Sequence, residues 1–186
     1  DTSFKERLVE NLLSRNEQGL GITFDENISN YKYLKKLKHP NLANQIKYIE
    51  VSSSNPNVIY ALVEAKKNAL YKSEDGGFKW KKINDKPGIG NRPFYYSEIY
   101  VDPQNENRIY SVFTYVNVSE DGGKSFKQLM PAYGTNIGVH PDHHAWYIHP
   151  SNPDFMIDGN DGGLNITHDR GKTWRFVENL PVAQFY

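Results

Sequence analysis

The chain has 186 residues, 38% of them hydrophobic, and its 22 basic side chains balance 22 acidic ones. A balance of zero gives no overall field for nucleic acid or an anionic membrane. The absence of cysteine excludes a disulfide framework, a thiolate nucleophile and a thiolate metal site. No apolar run approaches the roughly 18 to 20 residues of a membrane span, so a soluble globular protein is expected. The chain opens at Asp1 without methionine or a signal-peptide apolar region, which suggests a processed or excised polypeptide.

Residues 1–45 read as a helical cap or insertion. Ser3 to Glu6 form a capping box, and Phe4, Leu8, Leu12 and Leu13 recur at helical spacing until Gly19 and Gly21, which predicts a helix over about 4–18. A weaker helical pattern through Tyr31, Leu34 and Leu37 ends at His39–Pro40. Its polar side carries Lys32, Lys35, Lys36 and Lys38, which an ordinary solvated face explains, and no nucleic-acid partner is expected.

From residue 46 onward the texture changes to short runs rich in β-branched and aromatic residues, separated by turn residues. It repeats three times. "SEDGGFKW" at 73–80 returns as "SEDGGKSF" at 119–126 and "THDRGKTW" at 167–174, offsets of 46 and 48 residues. A period of about 40 to 50 is that of a propeller blade. Each unit offers four strands joined by tight turns, so the expected fold is all-β: a partial propeller of three four-stranded blades at about 46–90, 91–132 and 133–180, with a further blade starting at 181–186.

The octamer then falls on the turn between the third and fourth strands. Asp75, Asp121 and Asp169 are expected to fold back onto turn N–H groups, and Ser73, Ser119 and Thr167 to tie the strand end to the same loop. Gly77, Gly123 and Gly171 supply backbone angles closed to other residues, and Trp80, Phe126 and Trp174 pack beside the turn. This pattern resembles the Asp box of BNR repeats, and its aspartates are read as structural. "RPFYYSEIYVDPQNENRIY", "HPDHHAWYIHPSNPDFMIDGNDGG" and "NLPVAQFY" narrow the resemblance to exported bacterial proteins with sortilin-like (VPS10-like) BNR propellers, often labelled glycosyl hydrolases. The resemblance covers about 46–186 and implies an extracellular or cell-surface location. Three blades leave an open ring, so a longer propeller chain, or other subunits, is expected to supply the remaining blades.

In a propeller the loops between blades and those between second and third strands share one face. This brings His140, Asp142, His143 and His144 toward Asp158, Asn160 and Asp161. Imidazole with carboxylate suits a divalent metal, for which His140, Asp142 and His144 are the candidate ligands, although such a loop also serves merely to satisfy backbone donors. Asp142 and Asp158 are the carboxylate pair to test for glycosidic acid/base chemistry. Arg92, Tyr95 and Tyr96 on the same face, with His143, Asn160 and Asp161, are candidate contacts to a glycan or a protein or peptide ligand. Only one arginine, Arg92, falls on this face, which argues against a sialidase. Recognition of a glycan or partner protein is the leading expectation, with glycoside hydrolysis the alternative. The sequons at Asn27, Asn117 and Asn165 are read as incidental, because the octamer turn already requires the hydroxyl that follows the last two.

Overall fold

The structure, a computed structural model, describes residues 23–24, 45–64, 68–77, 79–89, 97–130 and 138–180. The two helices expected before residue 45 lie outside these residues, as do Arg92, Tyr95, Tyr96 and 181–186. Thr23–Phe24, between the two stretches read as helices, is a short strand.

Thirteen strands make three sheets among the described residues. The first contains β1 (Thr23–Phe24), β2 (Gln45–Val51), β3 (Ile59–Glu64), β4 (Ala69–Ser73) and β5 (Lys81–Asn84). The second contains β6 (Glu98–Asp102), β7 (Asn105–Val112), β8 (Val116–Ser119) and β9 (Lys127–Gln128). The third contains β10 (His143–Ile148), β11 (Met156–Asn160), β12 (Gly163–Thr167) and β13 (Arg175–Phe176). From β2 onward each sheet is a four-stranded antiparallel meander in sequence order, and β1 adds to β2 in parallel, Thr23 opposite Gln45. No α-helix occurs among the described residues. The protein is therefore a partial β-propeller of three blades.

The octamer turns form by short-range hydrogen bonds repeated in each blade. Ser119 Oγ accepts the Gly123 N–H at 2.8 Å and donates to Asp121 Oδ1 at 2.8 Å, while that carboxylate accepts the Ser125 N–H at 2.9 Å. The same three contacts link Ser73, Asp75, Gly77 and Lys79, and again Thr167, Asp169, Gly171 and Thr173. Trp80 and Trp174 each donate the indole N–H to the carbonyl of the turn glycine, Gly77 or Gly171. Phe126, at the matching position, has no such donor.

The blades meet through apolar faces. Tyr60, Leu62 and Leu70 of the first blade form one buried cluster with Ile99, Val101 and Ile109 of the second. Tyr110, Val112, Val116 and Val118 then form another with Trp146 and Met156 of the third, the Tyr110 and Trp146 rings 5.4 Å apart. Each core is thus shared between two sheets, so a blade buries its side chains only in the company of its neighbour. Polar contacts stitch the seams. Asn84 Nδ2 donates to the carbonyls of Gly123 and Lys124 at 3.0 and 3.1 Å, and Tyr60 Oη donates to that of Glu106 at 2.9 Å. Between the second and third blades, Arg170 Nε stands 3.4 Å from the fully buried Asp102 carboxylate, an ion-pair distance without hydrogen-bond alignment, and an Arg108 guanidinium nitrogen donates to the Arg170 carbonyl at 3.3 Å.

Candidate functional site

The backbone confirms how loops divide between the two ends of the blades. At one end, the octamer turns sit beside the loops joining first and second strands: Gly76, Gly122 and Arg170 N–H groups donate to the Asn57, Asn107 and Asp154 carbonyls. At the other, the segment entering the third blade lies against the β7–β8 loop. Asp142 and His143 N–H groups donate to the Thr114 and Phe113 carbonyls at 3.1 and 3.0 Å, and Asp142 in turn accepts the Asp161 N–H at 3.3 Å. To reach both neighbours, Asp142 adopts φ 65°, a left-handed conformation that aspartate tolerates better than most residues.

Beneath this loop cluster lies a buried polar base. His143 Nδ1 and Asp158 Oδ1 are 2.7 Å apart, with His143 3% and Asp158 0% exposed. Asn160 Nδ2 donates to the second oxygen, Asp158 Oδ2, at 2.8 Å, and Asn160 Oδ1 accepts the Gly162 N–H at 2.8 Å. A side chain at 162 would collide with His140, its Cβ falling 2.6 Å from that of His140, so glycine lets the histidine close over the turn. The rim is exposed. His143 points inward while His144 projects to Asp161 Oδ1 at 2.8 Å, and a bulge between His143 and Ala145 in the pairing of β10 with β11 leaves both His144 and Ala145 exposed before Trp146 turns inward. Tyr115, from the β7–β8 loop, stands 45% exposed nearby in sequence to the Thr114 and Phe113 carbonyls that hold Asp142 and His143.

The structure therefore brings together His143, Asp158 and Asn160 as one unit and His144 with Asp161 as a second, joined through Asp142. It does not present Asp142 and Asp158 as a pair of open carboxylates: both oxygens of Asp158 are engaged and the residue is sealed from solvent, which suits orienting His143 rather than meeting a glycosidic oxygen. The expected metal trio is also divided, for His140 Nδ1 lies 2.9 Å from the Pro141 carbonyl and His144 is turned to Asp161. Among the described residues no group of three or more His, Asp or Glu side chains is placed to hold a metal ion. Of the three sequon asparagines, Asn117 donates to the Gly88 carbonyl, Asn165 is 4% exposed, and Asn27 lies outside the described residues.

Sequence reasoning missed the seam residues Asp102, Arg108 and Arg170 and the bulge at His144.

The fold defines the class: a β-propeller segment. Solved structures of similar fold include the GH74 enzyme of Niastella koreensis, at TM-score 0.52 and 17% identity over 72% of this chain and 22% of that one. The GH74 xyloglucanase of Xanthomonas campestris is similar at TM-score 0.53 and 15% identity, covering 73% of this chain and 24% of that one. YCF48 from Cyanidioschyzon merolae aligns at TM-score 0.48 and 14% identity over 74% of this chain and 38% of that one. The chain spans about a quarter of the length of the two GH74 proteins. At these identities the likeness concerns the fold. No protein-family model matches the chain, and no curated protein matches it.

Proposed function

We propose that the chain is a segment of an exported or cell-surface β-propeller of the Asp-box, sortilin-like type, which recognises a glycan or a peptide segment of a partner protein on its loop face. The observation that carries this reading is the burial of Asp158. With its oxygens taken by His143 and Asn160, the carboxylate pair sought for hydrolysis is not open at this face, whereas the rim keeps exposed donors, acceptors and an aromatic ring in Asp161, His144 and Tyr115. Such a rigid base with a polar and aromatic rim suits binding. The exposed His144–Asp161 pair contributes little to stability, about 0 to 1 kcal/mol, so a ligand can replace it at small cost. The location follows from the sequence resemblance and belongs to the proposal. The second reading, a glycoside hydrolase, is supported by the fold likeness to GH74 enzymes and by the carboxylates other than Asp158 in the loop cluster, the half-buried Asp142 and the exposed Asp161.

Glycan and peptide arrays test the proposal. The expected result is retention of one ligand class by the intact chain, with the signal falling at least tenfold in His144→Ala and Asp161→Ala. Arrays on which these variants bind as the parent does would refute the assignment of the face.

A further inference from the structure

The fourth position of the octamer is glycine in the first two blades and arginine in the third. Gly76, Gly122 and Arg170 all hold the left-handed conformation, at φ 75°, 73° and 61°, and each donates its N–H to the loop joining first and second strands. The turn is thus the same in all three blades, but in the third it is imposed on a residue whose Cβ disfavours it. Such strain persists where surrounding contacts over-determine it, and the contacts of Arg170 run across the seam to the second blade.

Two groups of the second blade grip it. A guanidinium nitrogen of Arg108 donates to the Arg170 carbonyl at 3.3 Å, and Arg170 Nε stands 3.4 Å from Asp102 Oδ2. Asp102 is fully buried, and its other oxygen accepts the Gln104 N–H. Oδ2 has no hydrogen bond, so it relies on the charges of Arg170 and of Arg108, the latter 3.9 Å away. A buried carboxylate deprived of its cation is strongly unfavourable. Arg170 also has a competing partner inside its own blade: Asp154 Oδ1 lies at the same 3.4 Å, on an exposed side chain.

The first seam is built the other way round. A Cβ at Gly122 would lie 3.5 Å from Tyr60 Oη and 3.7 Å from Lys72 Nζ, so the cation beside that turn comes from the preceding blade. In the second blade Val118 stands where the first has Lys72, one residue before the octamer, and the cation of the second seam comes from the following blade as Arg170.

This clasp and the candidate site sit at opposite ends of one seam. Tyr115 and the carbonyls of Phe113 and Thr114 belong to the second blade, whereas His143, His144, Asp158 and Asp161 belong to the third. The angle between these blades therefore sets how far apart the two halves of the site stand.

We propose that Arg170, held by Asp102 and Arg108, is a positioning residue for the loop face: it fixes the second blade against the third and so sets the spacing between Tyr115 and the His144–Asp161 pair. Asp154 opposes it, because a guanidinium turned to Asp154 is released from the seam. That these groups bind a ligand rests on the function proposed above; the spacing does not.

Because the chain has no cysteine, nitroxide labels can be placed in pairs. Tyr115→Cys with Asp161→Cys spans the second seam at the loop face, and Lys81→Cys with Lys127→Cys spans the first seam as a control. Electron paramagnetic resonance on the intact chain reads both distances. Arg170→Gly and Asp102→Asn are expected to broaden the first distribution and shift it to longer distance, with the control as in the parent. Asp154→Asn is expected to narrow the first. Arg170→Gly relieves the positive φ, so a loosened seam in that variant does not stem from backbone strain. A second-seam distance unchanged in Arg170→Gly and Asp102→Asn, equal broadening of both seams in Arg170→Gly, or broadening in Asp154→Asn would each overturn the proposal. Arrays that find no ligand would instead strike the recognition reading and leave these distances as they are.

Discussion

Gly123→Ala probes the contact by which one blade rests on the one before it. Gly123 has φ +87°, and a Cβ there would lie 2.6 Å from Leu70 Cδ2, with Ile109 and Ile83 also within 4 Å. The left-handed backbone costs an L-residue about 1 to 2 kcal/mol. Overpacking against the fully buried Leu70 adds about 1 to 3 kcal/mol. Gly122→Ala is the control. It shares the left-handed backbone at φ +73°, but its nearest neighbour is the Asn107 side-chain oxygen at 3.1 Å, on a residue exposed to solvent that can turn aside. The expected losses are therefore about 2 to 5 kcal/mol for Gly123→Ala and about 1 to 2 for Gly122→Ala. Urea unfolding followed by tryptophan fluorescence measures both, with the slope unchanged. A second cycle isolates the packing: combined with Leu70→Ala, Gly123→Ala is expected to cost about 1 to 3 kcal/mol less than the sum of the singles. Equal losses for the two glycines, or additivity with Leu70→Ala, would refute the claim that the octamer glycine is required by contact between blades.

Further predictions concern the turns and the seams. Thr173 and Thr167 hydrogen bonds hold the Asp169 carboxyl at about 2 rather than 3.8. At Asp121 desolvation pushes upward, but hydrogen bonds from Ser125 and Ser119 outweigh it and leave it also at about 2. A depressed folded value means stability that is present above about pH 4 and lost as pH falls through about 2. Asp121→Asn and Asp169→Asn are therefore expected to flatten the fall of the urea midpoint between those pH values, and an unchanged slope would contradict the hydrogen-bond reading. Asn84→Ala removes both donors to Gly123 and Lys124 and is expected to cost about 1 to 3 kcal/mol in the same assay. At Asp142, Gly is expected to be tolerated within about 0.5 kcal/mol, since it relieves the positive φ while adding chain entropy, whereas Val is expected to cost about 1 to 2 kcal/mol or more.

The blades were readable in the sequence because their defining contacts are local. The octamer closes on itself through partners two and four residues apart, Ser119 to Asp121 and Gly123, so its letters carry its geometry. The meeting of 140–144 with 158–161 was readable for a different reason: a meander fixes which loops share an end, whatever their side chains. What escaped is set by partners remote in sequence. Arg108 reaches Arg170 across 62 positions and Asn84 reaches Gly123 across 39, and no local pattern announces either. The burial of Asp158 is likewise a property of the seam, since its neighbour in the sheet, Trp146, packs against Tyr110 of the preceding blade. Seen from the sequence, "DGND" offers its aspartates as equals. In the fold, Asp158 lies inside and Asp161 lies out.

The most direct test of recognition without chemistry is to incubate the chain with the polysaccharide or glycan panel used for binding and measure new reducing ends. The account predicts none above background, with any bound glycan recovered intact. Release of reducing ends that disappears in Asp142→Ala or Asp161→Ala would contradict it and establish a hydrolase whose acids stand on the rim.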